Sequence, residues 1–490
     1  MKKNHYYLLI LLFLGLLVRF FFVSNPGFEA DVAYWKSWSL AAADKGTMWT
    51  VTQTNYNYPP VFVYLLWILG KIYSLFTNPH DFNAFWQNTN ILFLFLVKLI
   101  PIISDLIIAI LLYFLGEKLT AKKVGPAPDV SGVNSLADLK NKSDLAKKSL
   151  PLLMAALYLF NPAVILDGSI WGQVDSFGVL IFMISLVFLF LKKPFWSSLV
   201  FTLAFLLKLQ NIIYIPIFFL FILLRFGKKT FFKSLAVSIA ASFLLCFEYF
   251  FNHQGATIIK LMFQNADWFP YLSLNSYNLW WIVSGANGMG VSDKILTLGL
   301  VNAKTLGLIL FSASYLLCLG LIFKRSSFEN LILSCVLAVF SFYLLLTQAH
   351  ERYIFPAIIF LIMLLPYYHR HNSKMKGFWK IFFFSLTVAS FYNLHNAFIH
   401  FYPQNGLPLV SSLNIKLLTM LFSLASITLF IGLLIFVFKK LHSLFPVLSL
   451  GFIVSSLIFL NSSYLFKRKV SLTNLRPISE ISTFAPCAKD

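Results

Sequence analysis

Apolar runs of roughly 17–25 residues, the length of helix that crosses a bilayer, recur from one end of this chain to the other. No other feature restricts the fold so severely. In hydrocarbon every backbone N–H and C=O must be satisfied within the protein, which leaves helices or closed barrels, and runs of this length are helices. With 59% hydrophobic residues and a mean hydropathy of +0.78 over 490 residues, the chain reads as an all-α polytopic membrane protein. The formal charge of +21 then points to basic loops facing anionic lipid, with no nucleic acid as partner. The opening MKKNHYYLLILLFLGLLVRFFFV has a signal-like charge pattern but no small-residue cleavage site, so it reads as a retained first helix. Cys246, Cys318 and Cys335 lie in apolar runs and Cys487 in the tail, a spacing that suits neither a disulfide framework nor a metal site.

Lys and Arg flanking the spans orient the chain, because they stay on the cytoplasmic side. Lys2 and Lys3 are therefore inside, the first span covers residues 6–23, and the basic loop 116–149 is inside again. One span must lie between, and 91–117 is assigned to it. The competing segment 60–77 is short, follows Pro59-Pro60 and mixes in Tyr64, Trp67, Lys71 and Tyr73, which suits a helix lying in the interface. Residues 24–90 become one large outer loop carrying interfacial helices. About thirteen transmembrane helices follow from the remaining basic clusters. On this layout FEADVAYW, NYNYPP, DGSIWGQVDS, NADWFPYLSLNSYNLWW and TQAHERY all fall on the outer side. Polar stretches that converge on one face predict one site there.

The ionisable residues of these stretches are costly at a membrane edge and are functional candidates for that reason. Asp31 follows the first span, with Glu29 beside it as a second candidate or a simple helix cap. Trp171, Gln173 and Asp175 fall within five residues, a stacking face beside hydrogen-bonding groups that suits a sugar. Asp175 also stands where a helix N-cap belongs, and it can serve both ends. Asn161-Pro162 shapes the end of the preceding span. In TQAHERYIFP, Pro356 marks the first turn of an inward helix. His350, Glu351, Arg352 and Tyr353 then surround a helix N-terminus, whose free N–H groups favour an anion. Arg352 adds a planar fork suited to phosphate and His350 a second donor. Glu351 either fixes Arg352 or repels a second anion. Lys208, at a turn between two apolar runs, either snorkels or makes another phosphate contact. Lys98 and Asp105, seven residues apart on one helix face, are expected to neutralise each other. His395 and His400 are expected in a loop, without the spacing of metal ligands.

An anion site, a nearby carboxylate and sugar-suited groups together suggest transfer from a lipid-phosphate donor. A carboxylate would act as general base and cations would stabilise the departing phosphate. The chain resembles the GT-C membrane glycosyltransferases, specifically bacterial relatives of the GPI-anchor mannosyltransferase that adds the second mannose. The likeness rests on DVAYWKSW with Asp31, NYPP at 57–60, FNPAVILDGSIWGQVDS, LNSYNLWW at 274–281 and HERYIFP at 350–356. It covers residues 1–365, a GT-C-like catalytic module, and leaves 366–460 as additional transmembrane helices and 461–490 as an outer tail. The resemblance implies a GT-C-type fold in the plasma membrane with an outward-facing site. It further implies a polyprenyl-phosphate-linked sugar donor, often mannose, and an acceptor glycan, lipid or protein. Inverting transfer would use Asp31 as base, with His350, Arg352 and Lys208 on the donor phosphate. Glu29, Tyr58, Trp171, Gln173, Asp175, Asn278 and Glu351 would meet sugar or acceptor. No metal ligand set is indicated; FEAD in place of a plain Asp-x-Asp leaves a divalent metal possible without pointing to one. The other function classes are a flippase for a lipid-linked sugar and a ligase moving a whole glycan. No internal repeat or paired broken spans speak for a transporter.

Overall fold

The computed structural model describes residues 3–81, 90–121, 149–263, 267–294, 301–368 and 373–442. Most of the basic loop 116–149, the tail 461–490 and Cys487 lie outside the described residues. The chain is an all-helical, multi-pass membrane protein. Among the described residues six helices are long and apolar enough to cross a bilayer. They are Asn4–Phe21, Ile91–Thr120, Leu209–Phe226, Ala303–Lys324, Phe328–Leu345 and Lys416–Leu441. A bent pair, Ser149–Leu159 with Pro162–Trp171, makes a seventh if counted as one span. The six or seven shown do not reach the thirteen of the charge-based layout. Several intended spans appear as apolar helices of 10–17 residues, among them Asp175–Phe190, Pro194–Leu207 and Phe355–Tyr368.

The outer-loop region contains Glu29–Lys45, Thr47–Gln53 and Phe62–Ser74. The last of these has 13 residues, against the roughly 20 that a spanning helix needs. It lies along Glu29–Lys45, held by buried Trp38, Phe62, Leu66 and Leu69 in one apolar cluster. A larger core unites the spans through the well-buried helix Phe328–Leu345 and its neighbour Phe355–Tyr368. The late helix Ser373–Phe401 joins that core and carries both His395 and His400. The loop expected for these histidines is therefore corrected. His395 is buried and its Nε2 accepts from the Leu407 N–H at 2.9 Å, folding the following turn back on the helix.

The intramembrane charges are paired differently from the expected Lys98–Asp105 contact. Arg19, wholly buried in the first helix, donates from Nε to Asp105 Oδ2 at 2.8 Å. Tyr158 donates to the other oxygen of Asp105 at 2.7 Å. Lys98 Nζ instead donates to the carbonyls of Asn25 at 2.6 Å and Val23 at 3.3 Å. There it satisfies acceptors left free just past the C-terminal end of the first helix. The seven-residue spacing put Lys98 and Asp105 on one face, but residues two turns apart are about 10 Å distant along the axis. Lys98 finds the turn after the first helix closer, and Asp105 finds Arg19 and Tyr158.

Arg19→Met leaves Asp105 as an uncompensated buried charge and should cost about 3–5 kcal/mol. Thermal unfolding in detergent should show that loss, and Arg19→Met/Asp105→Leu should recover most of it. A melting point unchanged in the single variant would refute a structural role for the pair.

Candidate functional site

The residues from Val23 to Phe28 turn the chain from the first helix into Glu29–Lys45 and dock it on the loop 166–174. Gly27, at φ +78°, lies so close to that loop that a Cβ would stand 2.5 Å from the Trp171 carbonyl oxygen. Gly172 occupies the left-handed region at φ +89° and ends a π-helical turn, Leu166–Trp171; glycine reaches that region without a Cβ penalty. The Phe28 N–H donates to Trp171 O at 2.9 Å, and Trp35 Nε1 donates to Gly172 O at 3.2 Å. Phe28 stacks on Trp171 with ring centroids 4.7 Å apart and planes 4° apart. Asp31, in the first turn of its helix, is thus placed so that one carboxylate oxygen receives both Trp171 Nε1 at 2.8 Å and Gln173 Nε2 at 2.6 Å. Asp31 remains partly exposed, whereas Trp171 and Gln173 are buried.

A second cluster gathers around Asp175. This residue opens helix Asp175–Phe190, but its side chain caps nothing there. One oxygen is held by Lys208 Nζ, and the other lies 3.7 Å from Arg352 Nε. Lys208 sits at the break between Pro194–Leu207 and the 3-10 turn Leu209–Tyr214, buried rather than snorkelling. Arg352 donates from Nη1 to Glu351 Oε1 at 2.8 Å, and His350 Nδ1 lies 3.7 Å from Glu351 Oε2. Glu351 therefore fixes Arg352. Burial alone would raise the Glu351 carboxyl, but the His350 imidazole and the Arg352 guanidinium outweigh it and hold it below the ordinary glutamate value. Asp175, Lys208, Arg352, Gln210 and Tyr353 line a single cleft; the buried Arg352 Nε makes no hydrogen bond among the described residues and has Asp175 as its charged neighbour.

The two clusters are neighbours. Asp31 and Asp175 both act electrostatically on Arg352, and all three act on Tyr58. Burial pushes the Tyr58 hydroxyl well above its ordinary value, with Arg352 opposing that rise. Four separated polar stretches, around residues 31, 58, 171–175 and 350–353, thus meet at one site. The fifth stretch supports it from behind. Leu274 N–H donates to Ala349 O at 3.0 Å, and Asp293 Oδ2 accepts from Thr347 Oγ1 at 2.9 Å and Gln348 Nε2 at 2.7 Å.

Two residues expected at the substrate, Asn278 and Glu29, make bonds within the protein. Asn278 is wholly buried, caps Leu279–Val283 by accepting from the Trp280 and Trp281 N–H groups, and donates to Tyr343 O. Glu29 accepts from Asn405 Nδ2 at 3.0 Å and Gln404 Nε2 at 3.2 Å. Asn161 does shape the end of its span, accepting from the Ala163 N–H. Asp167, fully buried beside Asp175 and Lys208, was not singled out from sequence. Nor was Asn393, which joins Tyr277, Tyr343 and Asn275. Their signal was only a polar residue in an apolar run. Among the described residues no three His, Cys, Asp or Glu side chains are grouped to hold a metal ion.

Residues 32–265, just under half of the chain, match the ALG6, ALG8 glycosyltransferase family. The match supports a membrane glycosyltransferase and does not reach the finer likeness to the second GPI mannosyltransferase. It contains Tyr58, Trp171, Gln173, Asp175 and Lys208, and it excludes Asp31, His350, Glu351 and Arg352. No curated protein matches the chain.

The depressed Glu351 carboxyl gives a pH dependence with a defined sign. Its folded value lies below the ordinary 4.5, so its contribution to stability is present above about pH 4.5 and is lost as pH falls through the folded value. The difference in melting temperature between wild type and Glu351→Gln should be at its full size above about pH 4.5 and shrink as pH falls below it. A difference independent of pH would contradict the ionised Glu351–Arg352 pair.

Proposed function

We propose that this chain is an integral-membrane glycosyltransferase that moves one hexose from a polyprenyl-phosphate donor to an acceptor hydroxyl, with inversion. The observation that carries this reading is the pairing, within one site, of a partly exposed carboxylate with a neighbouring cationic cleft. Asp31 takes the proton of the acceptor hydroxyl as general base. The acceptor oxygen attacks the anomeric carbon, the bond from that carbon to the phosphate oxygen breaks, and its electron pair leaves on the polyprenyl phosphate. The charge that develops there is met by Arg352, which lines the cleft with Lys208, and by His350 on the other side of Glu351.

Trp171 and Gln173 hold Asp31 in place through their two hydrogen bonds. Asp175 and Glu351 hold the cations in place, so that the site is organised before the donor arrives and little reorganisation is needed during reaction. Tyr58 stands between the two halves, where the transferred sugar would lie.

The positive-inside distribution of Lys and Arg supports a plasma-membrane enzyme working on the outer face. The ALG6, ALG8 match, a family that uses lipid-phosphate sugars, supports this donor class. That match favours glucose, and the HERY and WGQVD stretches favour mannose. The acceptor is a glycan, lipid or protein of the cell envelope.

Purified protein should be incubated with radiolabelled polyprenyl-phosphate glucose or mannose and an envelope extract of lipids and glycans. Wild type should label an acceptor with one of the two donors. Asp31→Asn, still folded, should lose about 10²–10⁴-fold in turnover, the usual worth of a general base. Arg352→Lys should retain charge but lose the planar fork and raise the donor KM. Labelled donor that crosses the bilayer of proteoliposomes without transfer would identify a flippase. Transfer only of a preassembled glycan would identify a ligase.

A further inference from the structure

The segment that follows helix Ser373–Phe401 lies far beyond the family match and carries none of the motifs around Asp31. It nevertheless grips the residues that lead into Asp31. The Ala30 N–H, immediately before Asp31, donates to the Tyr402 hydroxyl at 3.0 Å. Asn405 Nδ2 donates to Glu29 Oε1 and to Gly27 O, both at 3.0 Å, and its own carbonyl accepts from Asn25 Nδ2 at 2.9 Å. Tyr402 also packs edge-on against Phe28, which stacks in parallel on Trp171 and meets Phe401 edge-on.

Free N–H groups in the first turn of a helix ordinarily go to water or to a cap. Here Phe28, the residue before Glu29–Lys45, has no capping side chain. The partners come from more than 370 residues along the chain. Asn405 is buried, and the turn that presents it is braced by the Leu407 N–H to His395 bond.

The geometry points to Tyr402 and Asn405 as positioning residues that fix the first turn of Glu29–Lys45, and with it Asp31, against Trp171 and Gln173. This rests on the reading of Asp31 as general base. A carboxylate displaced by about 1 Å can cost on the order of 10²-fold in rate without loss of substrate binding. The residues assigned to the donor phosphate stand on other elements. Loosening the clamp therefore acts on turnover and spares the donor KM.

The test uses the full chain and the two radiolabelled donors, with Asp31→Asn as reference. Asn405→Asp places a carboxylate against that of Glu29. It should lower apparent kcat at least tenfold while leaving the donor KM within about twofold. Adding Glu29→Gln restores one donor–acceptor pair with its direction reversed, though not the bond to Gly27 O, and Glu29→Gln/Asn405→Asp should recover part of the lost turnover. A role in overall stability alone would move kcat and KM together with the melting point and would give no such rescue.

Tyr402→Phe removes one hydroxyl and is the variant least disturbing to the fold. Hydrogen exchange of the amides at 27–32 should accelerate in it at an unchanged melting point, a readout that needs no substrate. Unchanged exchange in Tyr402→Phe, or turnover of Asn405→Asp within twofold of wild type, would overturn the clamp. If Asp31→Asn keeps full turnover, the general-base reading fails by itself, and accelerated exchange would then leave only a structural brace.

Discussion

The Asp175 carboxylate, shared between Lys208 and Arg352, is the contact on which the site depends. Asp175 and Lys208 are buried and Arg352 is half-buried, and a buried charge left alone costs several kcal/mol. Pairing them forces three remote parts of the chain together: the start of Asp175–Phe190, the break after Pro194–Leu207, and the turn before Phe355–Tyr368. Glu351 completes the arrangement by occupying the other side of Arg352. Burial makes such an arrangement severe in its demands, because a misplaced partner leaves a charge uncompensated.

Beside this ionic centre the half that carries Asp31 is built mainly from backbone fit and aromatic surface. Gly27 and Gly172 let two loops approach more closely than any side chain would permit. Phe28 and Trp171 then stack across the junction, and the Trp171 indole N–H turns to Asp31. The same indole ring therefore packs and positions. Helix Phe62–Ser74 contributes by burying its apolar face along Glu29–Lys45, which stiffens the helix that carries Asp31. The late helix Ser373–Phe401 and its following turn close the junction from the opposite side.

Much of the site was legible because its residues are expensive where they stand. Asp31, Asp175, Lys208, Glu351 and Arg352 are ionisable groups beside long apolar runs, and their convergence followed from laying the Lys and Arg loops on one side. The scaffold residues were less legible. Asn278 and Glu29 have the chemistry of sugar ligands, and only the location of Trp280, Trp281 and Asn405 shows that their bonds are already made. Lys98 and Asp105 share a face, but face alone does not select a partner. Backbone carbonyls past the first helix drew Lys98, and Arg19 reached Asp105 from a neighbouring helix.

The sequence by itself determined the class of molecule, the positions of most apolar helices and the identity of the costly polar residues. Hydropathy, helical period and charge are local properties, so they can be read along the chain. The tertiary structure alone decided which helices fall short of a full span, which charge meets which, and which polar residues are spent on the scaffold. It also decided that the turn at 402–405 holds the first turn of a helix near the N-terminus. These outcomes depend on distances between segments hundreds of residues apart. A hydrogen bond tolerates only a few tenths of an ångström, a tolerance no sequence spacing can specify.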